Sequence, residues 1–158
     1  MRTLTIVFLL VCAALAVVLK TDAQPVTTIY SFINGPAKPL AGLTLGNDGN
    51  FYGTTESGGL NNEGTAFKMT TNGITTTLVN FGTTYGSPTY PEANLTLGPD
   101  GNFYGTTSQG GTNTSGTNAT GTVFKMTTNG TVTNLVSFNG VNGGIPLAGL
   151  TLAPDGNF

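Results

Sequence analysis

Short apolar runs alternate with polar ones along this chain, and the alternation returns in a fixed order. Leu43-Thr44-Leu45 leads through Asn47-Asp48-Gly49 to Asn50-Phe51-Tyr52-Gly53-Thr54-Thr55. A Gly/Asn loop follows, then Gly64-Thr65-Ala66-Phe67-Lys68-Met69-Thr70-Thr71-Asn72-Gly73 and a β-rich run from Ile74 to Phe81. The second pass is Leu95-Thr96-Leu97, Pro99-Asp100-Gly101, Asn102 to Thr107, a longer loop, Gly121 to Gly130, and Thr131 to Phe138. A third opening occupies residues 147–158 and ends on Asp155-Gly156-Asn157-Phe158. The period is 52 residues from Phe51 to Phe103, 55 from Phe103 to Phe158 and 57 from Met69 to Met126. The length change therefore falls in the loop between Thr107 and Gly121, and insertions confined to one loop mark a modular array.

Each period predicts four strands joined as two hairpins. Asp-Gly sits between the first two strands, and Asn72-Gly73 or Asn129-Gly130 between the last two. Both dipeptides favour two-residue type I′ turns, because Gly and Asn or Asp tolerate the positive φ required at both central positions. Leu95 and Leu97 point one way and Thr96 the other, whereas Val132 to Ser137 is mixed, which predicts contact on both sheet faces. Lys68 and Lys125 each lie between Phe and Met and are expected on the opposite face from them.

Four strands in about 50 residues is the arithmetic of a propeller blade. A solenoid coil has a shorter period, and an immunoglobulin-like sandwich does not repeat internally. The expected fold is all-β: a β-propeller-like tandem repeat with blades at 40–81 and 92–138 and the start of a further blade at 147–158. Residues 26–32, VTTIYSF, resemble the fourth strand of the later periods and are expected to form a lone strand. Propellers take 4 to 8 blades. The 24–158 segment is thus expected to be the N-terminal part of a longer, here incomplete, repeat array.

The N-terminus reads differently. Arg2 precedes an apolar run from Ile6 to Leu19, then Lys20-Thr21-Asp22 and Ala23. That run is shorter than the ~20 residues a bilayer span needs, and the pattern matches a secretory signal peptide over 1–23, cleaved after Ala23, with Ala16 as a second candidate. The alternative is a retained N-terminal anchor. A cleaved leader implies a secreted, extracellular or cell-surface product with no membrane insertion of the mature chain. The single cysteine, Cys12, lies within the leader, so no disulfide is expected in the mature chain.

Charge narrows the partners. After residue 23 the only basic side chains are Lys38, Lys68 and Lys125, against Asp48, Glu56, Glu63, Glu92, Asp100 and Asp155. Nucleic acid and anionic membranes both call for clustered Lys and Arg, so neither is an expected partner. The chain holds 30 threonines and 24 glycines, with low charge and ample β-branched residues, which predicts short strands rather than disorder.

No His and, after the leader, no Cys are present, so a Ser-His-Asp or Cys-His nucleophile and the usual zinc ligands are missing. Asp48, Asp100 and Asp155 recur once per repeat. They read either as a ring of oxygen ligands for Ca²⁺ or as turn residues bonding the backbone two residues on, and a single carboxylate beside Gly favours the turn. Glu56, Glu63 and Glu92 do not recur and are the catalytic candidates, since a glycosidase needs two carboxylates about 5 to 9.5 Å apart; exposed loop glutamates are more often only solvated.

Phe51-Tyr52, Phe103-Tyr104, Tyr85 and Tyr90 are candidates for a carbohydrate-stacking platform, with packing between blades the competing role for the repeated pairs. The loops Ser57 to Glu63 and Ser108 to Thr120 vary in length, and variable loops on a rigid scaffold are where binding resides. Asn94, Asn113, Asn118 and Asn129 fit the Asn-x-Ser/Thr pattern, as expected by chance in so Asn- and Thr-rich a chain.

Together LTLGPDGNFYGTT, GTVFKMTTNG and TNLVSFNGVNGGIPLAGL resemble the GloVer tandem repeat of secreted bacterial proteins with varying C-terminal sorting signals. The resemblance covers Val26 to Phe158 and implies export, surface display or release, and a propeller-like fold. It implies no activity. The expected function is a binding or scaffold module with an unknown extracellular ligand, carbohydrate or protein, and no cofactor, metal or catalytic residue. The alternatives are an extracellular glycosidase or lyase on the same scaffold, and a purely structural surface protein.

Overall fold

A computed structural model of the chain describes residues 27–31, 37–112 and 120–158, and the described structure is entirely β-strand, turn and loop. One four-stranded antiparallel sheet runs in chain order through β1 (Thr44–Leu45), β2 (Phe51–Thr55), β3 (Thr65–Met69) and β4 (Thr75–Asn80). A two-residue strand, β5 (Pro88–Thr89), comes next in the chain. The second four-stranded sheet is β6 (Thr96–Leu97), β7 (Phe103–Thr107), β9 (Thr122–Met126) and β10 (Val132–Ser137). Between β7 and β9 lies β8 (Gln109–Gly110), which pairs with β5. Neither large sheet closes on itself.

Five tight turns among the described residues share one design, and it is not the expected two-residue type I′. In the first, the Gly49 N–H donates to the Gly46 carbonyl (3.1 Å) and the Gly46 N–H to the Asn50 carbonyl (2.8 Å). The same pair of bonds closes the turns beginning at Thr70, Gly98, Thr127 and Ala153. Only the glycine has positive φ, +76° at Gly49. This is a three-residue connection, a type I turn ending in a left-handed glycine. Side chains support the turn in two ways: Oδ1 of Asp48, Asp100 and Asp155 each accepts the N–H two residues on at 3.1 Å, and at Thr70 and Thr127 the threonine hydroxyl accepts the Ile74 and Thr131 N–H at 3.0 Å.

Strand register assigns the faces. Tyr52 lies opposite Lys68 and Thr54 opposite Ala66, so these share one face of the first sheet, while Phe67 and Met69 lie on the other. In the second sheet Phe103 lies opposite Met126 and Gly105 opposite Phe124. The Tyr52 face packs on the Phe103 face. The Tyr52 and Phe103 ring centroids are 4.1 Å apart, and Phe81 meets Phe124 edge-on at 5.5 Å. Tyr52, Ala66, Phe81, Leu95, Phe103, Phe124 and Met126 form one buried cluster across the two sheets.

Threonine supplies the polar half of this joint. Thr44 Oγ1 donates to the Leu95 carbonyl and Thr96 Oγ1 to the Leu150 carbonyl, both at 2.5 Å. Thr54 and Thr106 likewise bond the Ala93 and Ala148 carbonyls at 3.3 and 2.9 Å. Within each sheet a buried threonine pair, Thr55 with Thr65 and Thr107 with Thr122, shares a 2.7 Å hydrogen bond. A threonine can present its methyl to the core and satisfy its hydroxyl locally, so a Thr-rich chain still makes a dry interior.

Of the lone strand expected at 26–32 the structure describes residues 27–31, which have no ladder partner. Its position is nevertheless informative. A methyl group added to Gly73 would lie 2.2 Å from the Ile29 carbonyl oxygen, and one added to Gly130 would lie 2.6 Å from that of Leu78. Ile29 thus sits against the first repeat as Leu78 of β4 sits against the second, but without the neighbouring strand that gives Leu78 its pairing. Residues 147–158 form the Ala153–Asn157 turn and contact the second sheet, again without a strand of their own. The signal peptide expected over 1–23 lies outside the described residues.

Candidate functional site

In a sheet that runs as a meander, the β1–β2 and β3–β4 turns fall at one end, and the β2–β3 loop and the exit from β4 fall at the other. The long connections of both repeats therefore gather together. There the segments 82–90 and 108–110, with Glu63, Thr120 and Ile145, enclose a cleft of about 670 Å³. That volume is within the 300–1,000 Å³ usual for ligand sites.

A repeated backbone device builds its floor. Lys38, Tyr90 and Ile145 each precede a proline, and each has positive φ: 52°, 58° and 50°. The N–H of Tyr90 donates to the Glu63 carbonyl (2.9 Å) and its own carbonyl accepts from the Ser108 N–H (3.0 Å), so one residue ties the first repeat to the second. Ile145 repeats the first bond, to Thr120 at 2.6 Å, and Lys38 repeats the second, from Glu56 at 3.1 Å. The β5–β8 pair adds a further cross-link between the same loops. Left-handed φ is disfavoured for residues with a side chain and occurs where the surroundings over-determine it.

Glu63 and Tyr85 furnish the walls. A methyl group on Gly82 would lie 1.3 Å from Oε2 of Glu63, so the carboxylate crosses the strand exit at a place only glycine leaves open. Tyr85 lines the cleft with 71 % of its surface exposed, and Tyr90, also lining it, is half-buried. Ser108, buried, donates its hydroxyl to the Tyr90 carbonyl at 3.2 Å.

The sequence candidates separate accordingly. Of the aromatics, Tyr85 and Tyr90 line the cleft, while the repeated pairs join repeats: Tyr52 packs on Phe103, and Tyr104 on Phe158 at 4.3 Å. The three glutamates are dispersed. Glu63 lines the cleft, Glu92 lines a separate groove of about 490 Å³ beside Leu147 and Thr151, and Glu56 pairs with Lys38 at 3.0 Å. Asn94 Oδ1 accepts the Gly42 N–H at 2.6 Å, and Asn129 occupies a turn. Asn113 and Asn118 lie outside the described residues.

The recurring aspartates act as turn caps. Asp48 Oδ2 accepts from Asn50 Nδ2 (2.8 Å) and the Tyr52 hydroxyl (2.9 Å); Asp100 does the same with Asn102 and Tyr104 at 2.8 and 2.9 Å, and also meets Lys125 Nζ at 2.9 Å. Asp155 bonds Asn157 alone. Among the described residues no three His, Cys, Asp or Glu gather into a metal-binding group.

These bonds have titration consequences. The Asn50 side chain holds Asp48 below the ordinary carboxylate range; Asn102, then Lys125, do so for Asp100, and the Asn157 backbone for Asp155. Burial, reinforced by the Asp48 carboxylate, pushes the Tyr52 phenol up to about 12. A raised phenol contributes stability that is complete below the unfolded value of about 10 and is lost as pH climbs through the folded value. The lowered carboxylates contribute stability that is complete above their unfolded value of about 3.9 and is lost as pH falls through the folded values. The denaturant midpoint is therefore expected to be level between about pH 5 and 9 and to fall on both sides. Tyr52→Phe should flatten the alkaline limb, and an unchanged limb would show that Tyr52 does not titrate as its surroundings dictate.

Comparison with known proteins agrees with this repeat anatomy. No curated protein is significantly similar to the chain. The family model described as the Gloeobacter/Verrucomicrobia repeat matches residues 15–158. That match spans both complete repeats and the opening of the third, and with it the chain belongs to the Gloeobacter/Verrucomicrobia (GloVer) repeat family.

Proposed function

We propose that the chain is an exported repeat module that acts outside the cell or at its surface, binding a ligand on a propeller scaffold. The observation that carries the binding reading is the cleft, at the end of the sheets where the loops differ between repeats. Support for a propeller comes from the face-to-face stacking of the sheets, with the short strands β1 and β6 side by side through the Thr44–Leu95 bond. Support for export is the basic, apolar and small-residue order of Arg2 to Ala23. Turnover finds no support in the cleft, where Glu63 is the one carboxylate among the described lining residues and a glycosidase places two across one sugar.

Expressed with its own leader in a Gram-negative host, the chain should be recovered outside the cytoplasm with Gln24 as its first residue by N-terminal sequencing. Retention in the cytoplasm with Met1 intact would overturn the export reading. The exported chain should also bind saturably to some member of a panel of immobilised glycans and extracellular proteins. Silence across that panel would remove the binding role and leave a structural one.

A further inference from the structure

We infer that the cleft between the first and second repeats is the seat of a neutral oligosaccharide. The inference rests on the binding-module reading above and adds the ligand's chemical class.

Polarity comes first. The lining offers the hydroxyls of Thr83 and Thr84, the carboxamide of Gln109 and one carboxylate, Glu63. Hydroxyls and amides exchange hydrogen bonds with sugar hydroxyls in both directions, and a carboxylate accepts strongly from vicinal ones. The second argument is charge. Among the described residues no Lys or Arg lines the cleft, and the chain carries a formal net charge of −2, so a uronic acid or sulfated polymer would meet Glu63 with nothing there to neutralise it. Shape is the third. Tyr85 and Tyr90 both line the cleft, Tyr85 with most of its surface exposed, and amphipathic rings of this kind suit the apolar faces of sugars.

The repeated proline frame adds an independent argument. One backbone position, left-handed before proline, carries Lys38, Tyr90 and Ile145 in successive repeats. Two of these side chains, Tyr90 and Ile145, line the same cleft, so the left-handed backbone bonded on either side fixes where they stand in it.

The test is isothermal titration of the exported chain with gluco-, manno-, galacto- and xylo-configured neutral oligosaccharides and with their uronic and sulfated counterparts. At least one neutral series should bind and its charged counterpart should not. Tyr85→Ala and Glu63→Gln should each weaken binding by about tenfold or more. Tyr90→Gly should weaken it comparably while leaving the unfolding midpoint unchanged or higher, because glycine relaxes the left-handed backbone; a merely structural tyrosine would not give that combination. Binding only of charged glycans or of a protein from the panel overturns the ligand class and leaves the module reading intact. Neutral-sugar binding that survives all three substitutions overturns the site. Absence of any ligand in the panel overturns both.

Discussion

Tyr52→Ala is expected to destabilise the chain by about 3–5 kcal/mol, the range for removing a large aromatic from a core. Tyr52 is fully buried, packs on Phe103 at 4.1 Å and donates its hydroxyl to Asp48. Its removal would open a cavity in the joint between the two sheets and leave the Asp48 cap without its third donor. The equivalent Tyr104→Ala is expected to cost about 1–2 kcal/mol, within the common range for point substitutions. Tyr104 makes the same hydroxyl bond and the same ring contact, with Phe158, but is only half-buried. Urea unfolding of the two variants measures the difference. Equal losses would mean that the inter-repeat joint is not where the stability of the chain resides. Against a typical total of about 5–15 kcal/mol, the first substitution removes a large share of the stability.

Gly64→Ala is expected to cost about 2–4 kcal/mol, more than the 1–2 kcal/mol of left-handed strain alone. Gly64 has φ of +96°, and a methyl group there would stand 2.5 Å from the Thr55 carbonyl oxygen and 2.7 Å from Cδ of Pro91. The backbone on one side and a proline ring of the next repeat on the other leave no direction to yield. Gly49→Ala provides the control, with φ of +76° and nothing within 4 Å of the added methyl; about 1 kcal/mol is expected from strain only. If the two variants unfold at the same denaturant concentration, crowding at Gly64 has been relieved by movement, and the link between β2 and the Tyr90–Pro91 segment is looser than its geometry indicates.

How far the sequence could be read follows from what each feature depends on. The strand assignments for FYGTT and FKM and the hairpin order depend on alternation and on Gly placement within a few residues, and the sheets follow them. The type I′ expectation failed because Asp-Gly is compatible with two turn geometries. The geometry formed is held by side-chain bonds, Asp48 to Asn50 and Tyr52 in one turn and Thr70 to Ile74 in another, which become visible only once the strands are formed. The 26–32 segment shows a different limit: its similarity to TTTLVNF agrees with Ile29 standing against Gly73 as Leu78 stands against Gly130, but ladder pairing needs a neighbouring strand, which sequence similarity does not carry.

The binding candidates divide the same way. Tyr85, Tyr90 and Glu63 were each visible as non-repeating residues in or beside loops, but nothing in their spacing placed them around one cleft. The signal that was available and missed is the proline that follows Lys38, Tyr90 and Ile145 at corresponding points of successive repeats. Backbone before proline is restricted, and a restricted position repeated three times marks a junction.

The sequence by itself determined the repeat, its four strands, the loop that absorbs length changes and the all-β class, because these are set by hydrophobic period and turn chemistry over spans of 5 to 10 residues. Only the tertiary structure decided that Tyr52 meets the phenylalanine of the next repeat rather than its own. It also brought Glu63 and Tyr90 to the edge of one cleft and sent Glu56 and Glu92 elsewhere. Those outcomes depend on how one sheet stacks on another some 50 residues away, a sum of many weak contacts that no local pattern records.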